Sequence, residues 1–262
     1  MQAAWVVDAF SDRLYQGNPA GVVMLDDAFP PTGQMQALAT RLALPTTAFV
    51  IGRQPGDYAI RWFTPGAELN ICGHATIATM AYLYEVEQVR ASGPLRFHTH
   101  AGPLHAHREG ELMFLDLPTM RAMPAAPPAR LQAALGATIR HFTRAVDDFL
   151  VLLDSEETVS GLAPDFDALK RFDCRGHIVT APSGRAGVDF VSRSFFPALG
   201  VDEDQVCVSA HCKLAPFWAE RLGRRRLSAL QVSPRGGRLI VEEAGDRVRV
   251  AGTAVVRERL AL

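Results

Sequence analysis

The chain has 262 residues, 27 Lys and Arg against 28 Asp and Glu, 48% hydrophobic residues and four cysteines. That is the composition of a globular chain with a real core, in one large domain or two small ones; it excludes disordered, collagen-like and coiled-coil classes. A formal net charge of −1 offers no basic field to a phosphate backbone, so nucleic acid is not an expected partner.

Taken in chain order, MQAAWVVDAF carries Asp8 within its apolar stretch and has no basic leader, so it does not read as a secretory signal. Trp5 to Phe10, Gly21 to Leu25, Ala48 to Ile51 and Asp57 to Phe63 are short β-rich runs bounded by turn residues such as Gly17-Asn18-Pro19. Between them Gln34 to Leu42 reads as an amphipathic helix with Thr32 as its N-cap. Ala75 to Tyr84 is apolar nearly all round, the mark of a helix buried inside its domain. The uncharged run Leu69 to Tyr84 is too short for a membrane span and contains Asn70, Gly73 and His74, so no membrane partner is expected. Further on, Ala210 to Leu222 reads as a second central helix, closed by Gly223. Cysteines at 72, 174, 207 and 212 form no disulfide framework in a chain of this length. They are expected to be reduced thiols of a cytoplasmic protein.

An internal repeat organises these elements. Asp57-Tyr58-Ala59-Ile60-Arg61-Trp62-Phe63-Thr64-Pro65 matches Asp189-Phe190-Val191-Ser192-Arg193-Ser194-Phe195-Phe196-Pro197, and each copy is followed by a Glu four residues before a Cys: Glu68 and Cys72, Glu203 and Cys207. The Pro/Ala-rich stretch from Pro118 to Pro128 lies between the copies and is the natural boundary. The expected architecture is α+β, with two pseudo-symmetric domains, 1–118 and 119–262, and a last strand that can cross back to the first. Each is expected to be a curved, mostly antiparallel sheet wrapped around a central helix.

Both repeats run from a strand through a carboxylate-bearing loop into Cys-x-x-Ala and a buried helix. The first N–H groups of a helix are unpaired and its dipole is positive there, which suits a carboxylate ligand and shifts a thiol towards thiolate. Two such junctions opposed would form a cleft with acid/base groups on both walls, as inversion at a carbon requires.

The strings DAFSDRLYQGNPAGVVML, LALPTTAFV, RWFTPGAELNICGHATIA and GVDEDQVCVSAHCKLAPFWAERL resemble the PhzF family of phenazine-biosynthesis-like isomerases, whose fold is shared with diaminopimelate epimerase and proline racemase. The resemblance implies a cofactor-independent, metal-free proton-shifting isomerase, acting as a homodimer on a small carboxylate-bearing metabolite. It implies that His74, Asp204 and Ser209 hold and polarise substrate, with backbone contact from Gly73. The family's acid/base glutamate, in a motif like N-L-S-E-T-A-F, falls on Thr46 of Ala43-Leu44-Pro45-Thr46-Thr47-Ala48-Phe49. A threonine hydroxyl is no base near neutral pH.

Two readings follow from that departure. In one the chain is a silent homologue that only binds a small ligand. In the other Cys72 and Cys207, which match the two catalytic cysteines of the epimerases and racemases, carry the protons. Val208 replaces the family's second glycine and is expected to narrow that site by its bulk and by excluding a positive φ. Asn18 is a turn residue and a candidate substrate contact. Glu68 is a candidate substitute base, although pairing of Arg61 and Arg193 with the carboxylates of their own repeats is the favoured arrangement. Cys174 and Cys212 are expected to be buried bystanders. His98, His100, His105 and His107 flank a turn at Ala101 to Leu104, and a hairpin centred there would set His98 against His107 and His100 against His105 on the solvent side, as at most an adventitious metal site. Arg224 to Arg226 is expected to be a solvated turn.

Overall fold

The computed structural model describes residues 3–12, 16–90 and 93–262; Arg13, Leu14 and Tyr15 of the first motif lie outside the described residues. The chain divides into two compact units, Met1–Leu117 with Ala251–Leu262, and Pro118–Val250.

In the first unit β1 (Ala3–Ala9) and β2 (Asn18–Leu25) pair antiparallel, and the C-terminal strand Ala254–Ala261 closes on the other edge of β1. Helix α1 (Thr32–Leu42) crosses over from β2 to β3 (Thr46–Gln54), which are parallel, as such a crossover requires. Then β4 (Asp57–Phe63) returns antiparallel to β3, β5 (Glu68–Leu69) turns back on β4, and α2 (Gly73–Glu85) carries the chain to β6 (Leu95–Thr99), parallel to β4. Strands β7 (Gly102–Glu109) and β8 (Leu112–Pro118) complete a meander. Met35, Leu38 and Ala39 of α1 pack on Val23, Phe49, Ala59 and Phe63, one face of the sheet. Alternation along the strands sends Thr46, Ala48 and Trp62 to the other face, and α2 packs on β1, β2 and β3. Ten consecutive residues of α2, His74 to Leu83, are buried, as its uniformly apolar sequence demands.

The second unit repeats this order: β9 (Met123–Pro124), α3 (Leu131–Leu135), β10 (His141–Ala145), β11 (Asp148–Leu152), α4 (Glu156–Ser160), α5 (Phe166–Leu169), β12 (Gly176–Pro182), β13 (Phe190–Phe196), β14 (Val201–Asp204), α6 (Val208–Leu222), β15 (Arg226–Gln231), β16 (Gly237–Ala244) and β17 (Arg247–Gly252). β11 and β12 are parallel across α4 and α5, as β2 and β3 are across α1; β13 and β15 are parallel across α6, as β4 and β6 are across α2. Pro216 inside α6 cannot donate to the carbonyl of Cys212, and that carbonyl accepts from Met120 N at 3.3 Å instead.

Several sequence expectations shift in register. Pro31, not Thr32, holds the N-cap position of α1, and Thr32 opens the helix. Asn18 is the buried first residue of β2, opposite Ala9, rather than a turn residue. The turn is made by Gly17 at φ +65, where a Cβ would stand 2.1 Å from the Ala9 carbonyl oxygen. The β6–β7 hairpin turns at His100-Ala101, with Thr99 opposite Gly102, so His98 faces Pro103 and Arg96 faces His105; the tight turn lies two residues earlier than a loop centred on 101–104 and shifts each partner by four. Leu95, Phe97 and Leu104 are buried and the histidines lie on the outer side. Arg224 and Arg225 follow α6 and Arg226 already belongs to β15. Among the described residues, no helix is long and apolar enough to cross a membrane.

Candidate functional site

The first junction is built where β5 gives way to α2. Cys72 is the N-cap residue, extended at φ −144, and its carbonyl accepts from Thr76 N at 3.2 Å and Thr76 Oγ1 at 2.7 Å. Gly73 and His74 are the first two helical residues. The Cys72 Sγ lies 3.5 Å from His74 Nδ1 and 3.6 Å from Thr46 Oγ1 at the start of β3. All three residues are buried. Burial pushes the Cys72 thiol up, but the His74 imidazole, the Ala75 N–H and the Thr46 hydroxyl outweigh it, so the net displacement is downward.

The second junction has the same backbone and different neighbours. Cys207 is the N-cap of α6, its N–H donates to Gln231 Oε1 at 2.9 Å, and Gln231 Nε2 donates to the Asp204 carbonyl at the end of β14. The Cys207 Sγ lies 3.4 Å from Ser209 Oγ, which accepts from Arg175 Nη2 at 3.1 Å. Here burial and then the Asp204 carboxylate push the thiol up, against the Ser209 hydroxyl and Arg175. The expectation that both helix-capping thiols shift towards thiolate is therefore corrected: the helix terminus is common to both, and the nearby charge decides the sign.

The structure thus groups Cys72, Gly73, His74 and Thr46 in the first unit, and Cys207, Val208, Ser209 and Asp204 in the second. Val208 opens α6 as Gly73 opens α2, in helical conformation. No positive φ is asked of that position, so the expected backbone conflict is corrected, and only the bulk of a buried valine remains. Glu68 is a poor substitute base. Its two oxygens accept from Arg61 Nε and Nη2, both at 2.7 Å. The guanidinium, ahead of the opposing effect of burial, holds that carboxyl below its usual range. Arg193 grips Glu203 in the same way, at 2.8 Å twice. Arg175, Asp148 and Gln231 lie outside the motifs and Lys213, although within the last of them, carries no expected role; the one signal was charge, for Asp148 and Lys213, in segments that fold as interior strand and helix.

His98 pairs with Asp57, and His107 stacks on Phe114 and approaches Glu109 at 3.2 Å. Among the described residues no group of three or more His, Cys, Asp or Glu is placed to hold a metal ion. Cys212 is buried and Cys174 half-buried; burial raises both thiols, to about 12.

Residues 7–259 match the phenazine biosynthesis-like protein (PhzC-PhzF) family. An uncharacterized isomerase of Pseudomonas aeruginosa is 48% identical over 250 residues, 95% of this chain and 94% of that one. The crystal structure of a PhzF-family protein from Enterococcus faecalis, 40% identical, superposes with a TM-score of 0.94 over 100% of this chain and 99% of that one. The fold extends to a probable proline racemase of Agrobacterium radiobacter, 12% identical with a TM-score of 0.67 over 100% of this chain and 93% of that one.

Proposed function

The chain belongs to the phenazine biosynthesis-like PhzF family, and on that premise we propose that it is a cofactor-independent isomerase that moves a proton on a small carboxylate-bearing metabolite, with Cys72 as the base. The observation that carries this reading is the Cys72–His74 pair at the start of α2, 3.5 Å apart. An imidazole beside a thiol can hold its proton and leave a thiolate, the form that abstracts. The family glutamate is absent at Thr46, whose hydroxyl stands within reach of the sulfur and supports the thiolate rather than replacing the carboxylate. Cys207, whose surroundings favour the thiol, is the complementary proton donor, and His74, Asp204 and Ser209, with Gly73 N–H, Asn18 and the wall made by Val208, orient the substrate. Homodimeric assembly belongs to the same reading.

The test is proton exchange with solvent. In D2O, a panel of amino, hydroxy and unsaturated carboxylic acids is expected to contain at least one compound that gains deuterium at carbon, seen by NMR, and Cys72→Ala is expected to reduce the rate at least a thousandfold, in line with removing a proton-transfer group. Exchange that survives Cys72→Ala overturns the role of Cys72.

One observation favours a second reading, a silent ligand-binding homologue: Thr46 is buried in the glutamate's place. Exchange absent from the native chain and gained by Thr46→Glu with Val208→Gly would establish that reading.

A further inference from the structure

Arg175, just ahead of β12, is fixed on several sides. Its Nε donates to Asp148 Oδ1 at 2.9 Å, its Nη2 to Asp148 Oδ2 and to Ser209 Oγ, and the guanidinium lies over the Phe196 ring at 5.0 Å from its centre. Asp148 is fully buried and also accepts from Lys213 Nζ, on a side chain only 1% exposed. Asp147 completes the cluster, 3.4 Å from Arg175 Nε and 3.3 Å from Lys213 Nζ.

The repeat shows that the fold does not require this cluster. Asp148 stands opposite Gly176 as Ala20 stands opposite Thr46, so Arg175 corresponds to Pro45; counted from the capping cysteines, Lys213 corresponds to Ala78. The first unit builds the same topology from Ala20, Pro45 and Ala78, without an ion among them. Burying charges costs desolvation that their attraction seldom exceeds, so a cluster present in one copy only calls for another reason. The residue it reaches, Ser209, holds the place of His74.

We propose that Arg175 is the positioning residue of the second junction: it donates to Ser209 so that the serine's own proton is turned towards Cys207, and it is the fixed cation beside that thiol, where the first junction places the His74 imidazole beside Cys72. The inference rests on the reading of Cys207 as a proton carrier. A hydroxyl has one proton and two acceptor lone pairs. With one lone pair facing the guanidinium, the O–H turns away from it, and the sulfur 3.4 Å off is the acceptor within reach. The groups that face the thiol are Asp204 from β14, which opposes its ionisation, and Arg175, Ser209 and the Ala210 N–H from α6, which favour it.

Peptide-resolved labelling of the intact protein with iodoacetamide from pH 7 to 10 tests this without any turnover. Arg175→Met is expected to slow labelling of Cys207 about tenfold at fixed pH, one unit in its thiol pKa, while Cys72 keeps its wild-type rate. Ser209→Ala should slow Cys207 as well, and the two changes together should slow it by less than the product of the separate effects, because one acts through the other. Lys213 still neutralises Asp148 when Arg175 is lost, so the variant is expected to fold. Should it not, Arg175→Lys, which keeps the charge and loses the fork, is expected to slow Cys207 about threefold. An unchanged Cys207 rate in the folded Arg175 variant, or independent effects of Arg175 and Ser209, overturns the proposal. Failure of the deuterium-exchange test bears instead on the isomerase reading, since labelling reads the junction alone.

Discussion

At the first junction a buried cysteine caps a helix beside an imidazole and its thiol shifts down; at the second a buried cysteine caps a helix beside a carboxylate and its thiol shifts up. The backbone is the same in both, down to a strand, a Glu held by a strand Arg, a capping Cys and a buried helix. A helix terminus contributes a few tenths to about one kcal/mol at a partly solvated site, less than one well-placed charge in a buried one. Hence the shared backbone sets where each sulfur sits, and on top of a burial common to both the nearby side chains, His74 at one and Asp204 at the other first among them, set its protonation. The second unit also buries more ionisable groups: Asp148 and Lys213 of the cluster, Glu156, Arg193, and the histidines His177 and His211.

The sharpest way to probe this difference is acid. Burial lowers His177 and His211 from 6.5 to about 4. An unfolded chain takes up these protons as pH falls through about 6.5, whereas the folded chain resists until about 4. The stability they contribute is therefore present above 6.5 and lost between 6.5 and 4. At about 1.4 kcal/mol per unit each histidine accounts for up to about 3 kcal/mol. Urea unfolding at pH 7 and 4.5 should show the loss, and hydrogen exchange should show β12 and α6 losing protection before α2. Equal loss of protection in α2 would break the comparison.

Next in size is Asp148→Ala. It leaves the buried Lys213 and the partly exposed Arg175 with only the half-exposed Asp147 carboxylate for a partner, at a cost of about 3 kcal/mol, the low end for a buried charge that loses its partner. Adding Lys213→Met should recover at least about 1 kcal/mol of it, and denaturant midpoints for the single and double variants decide this. A smaller contrast separates the two repeated ion pairs. Arg193 and Glu203 are about one-tenth exposed, whereas Glu68 is 26% exposed. Arg193 Nη1 also donates to the Leu162 carbonyl at 2.7 Å. Glu203→Gln is expected to cost about 2–3 kcal/mol and Glu68→Gln under about 1 kcal/mol, read as shifts of the same midpoints. Equal costs would mean that burial does not distinguish the two pairs.

Much of the fold was legible beforehand because it depends on local pattern. Asp57–Phe63 is β4 to the residue, α2 starts two residues before and ends one after the expected helix, and α6 starts two residues before and ends where expected. The mutual pairing of Arg61 with Glu68 and of Arg193 with Glu203 followed from their repeated spacing. Where expectations moved, tertiary pairing or turn geometry was responsible: the His98–His107 register yielded to a tight turn at His100-Ala101, and Asn18 was drawn into β2 by its pairing with Ala9.

Sequence by itself determined the duplicated unit, the two cysteines at equivalent places in it and the threonine at position 46, because each is written in contiguous residues. Only the tertiary structure decided which thiol is disposed to lose its proton and which to keep it. Thr46 and Arg175 reach those junctions from distant points in the chain, the fold buries both sulfurs, and electrostatic energy depends on distances through it.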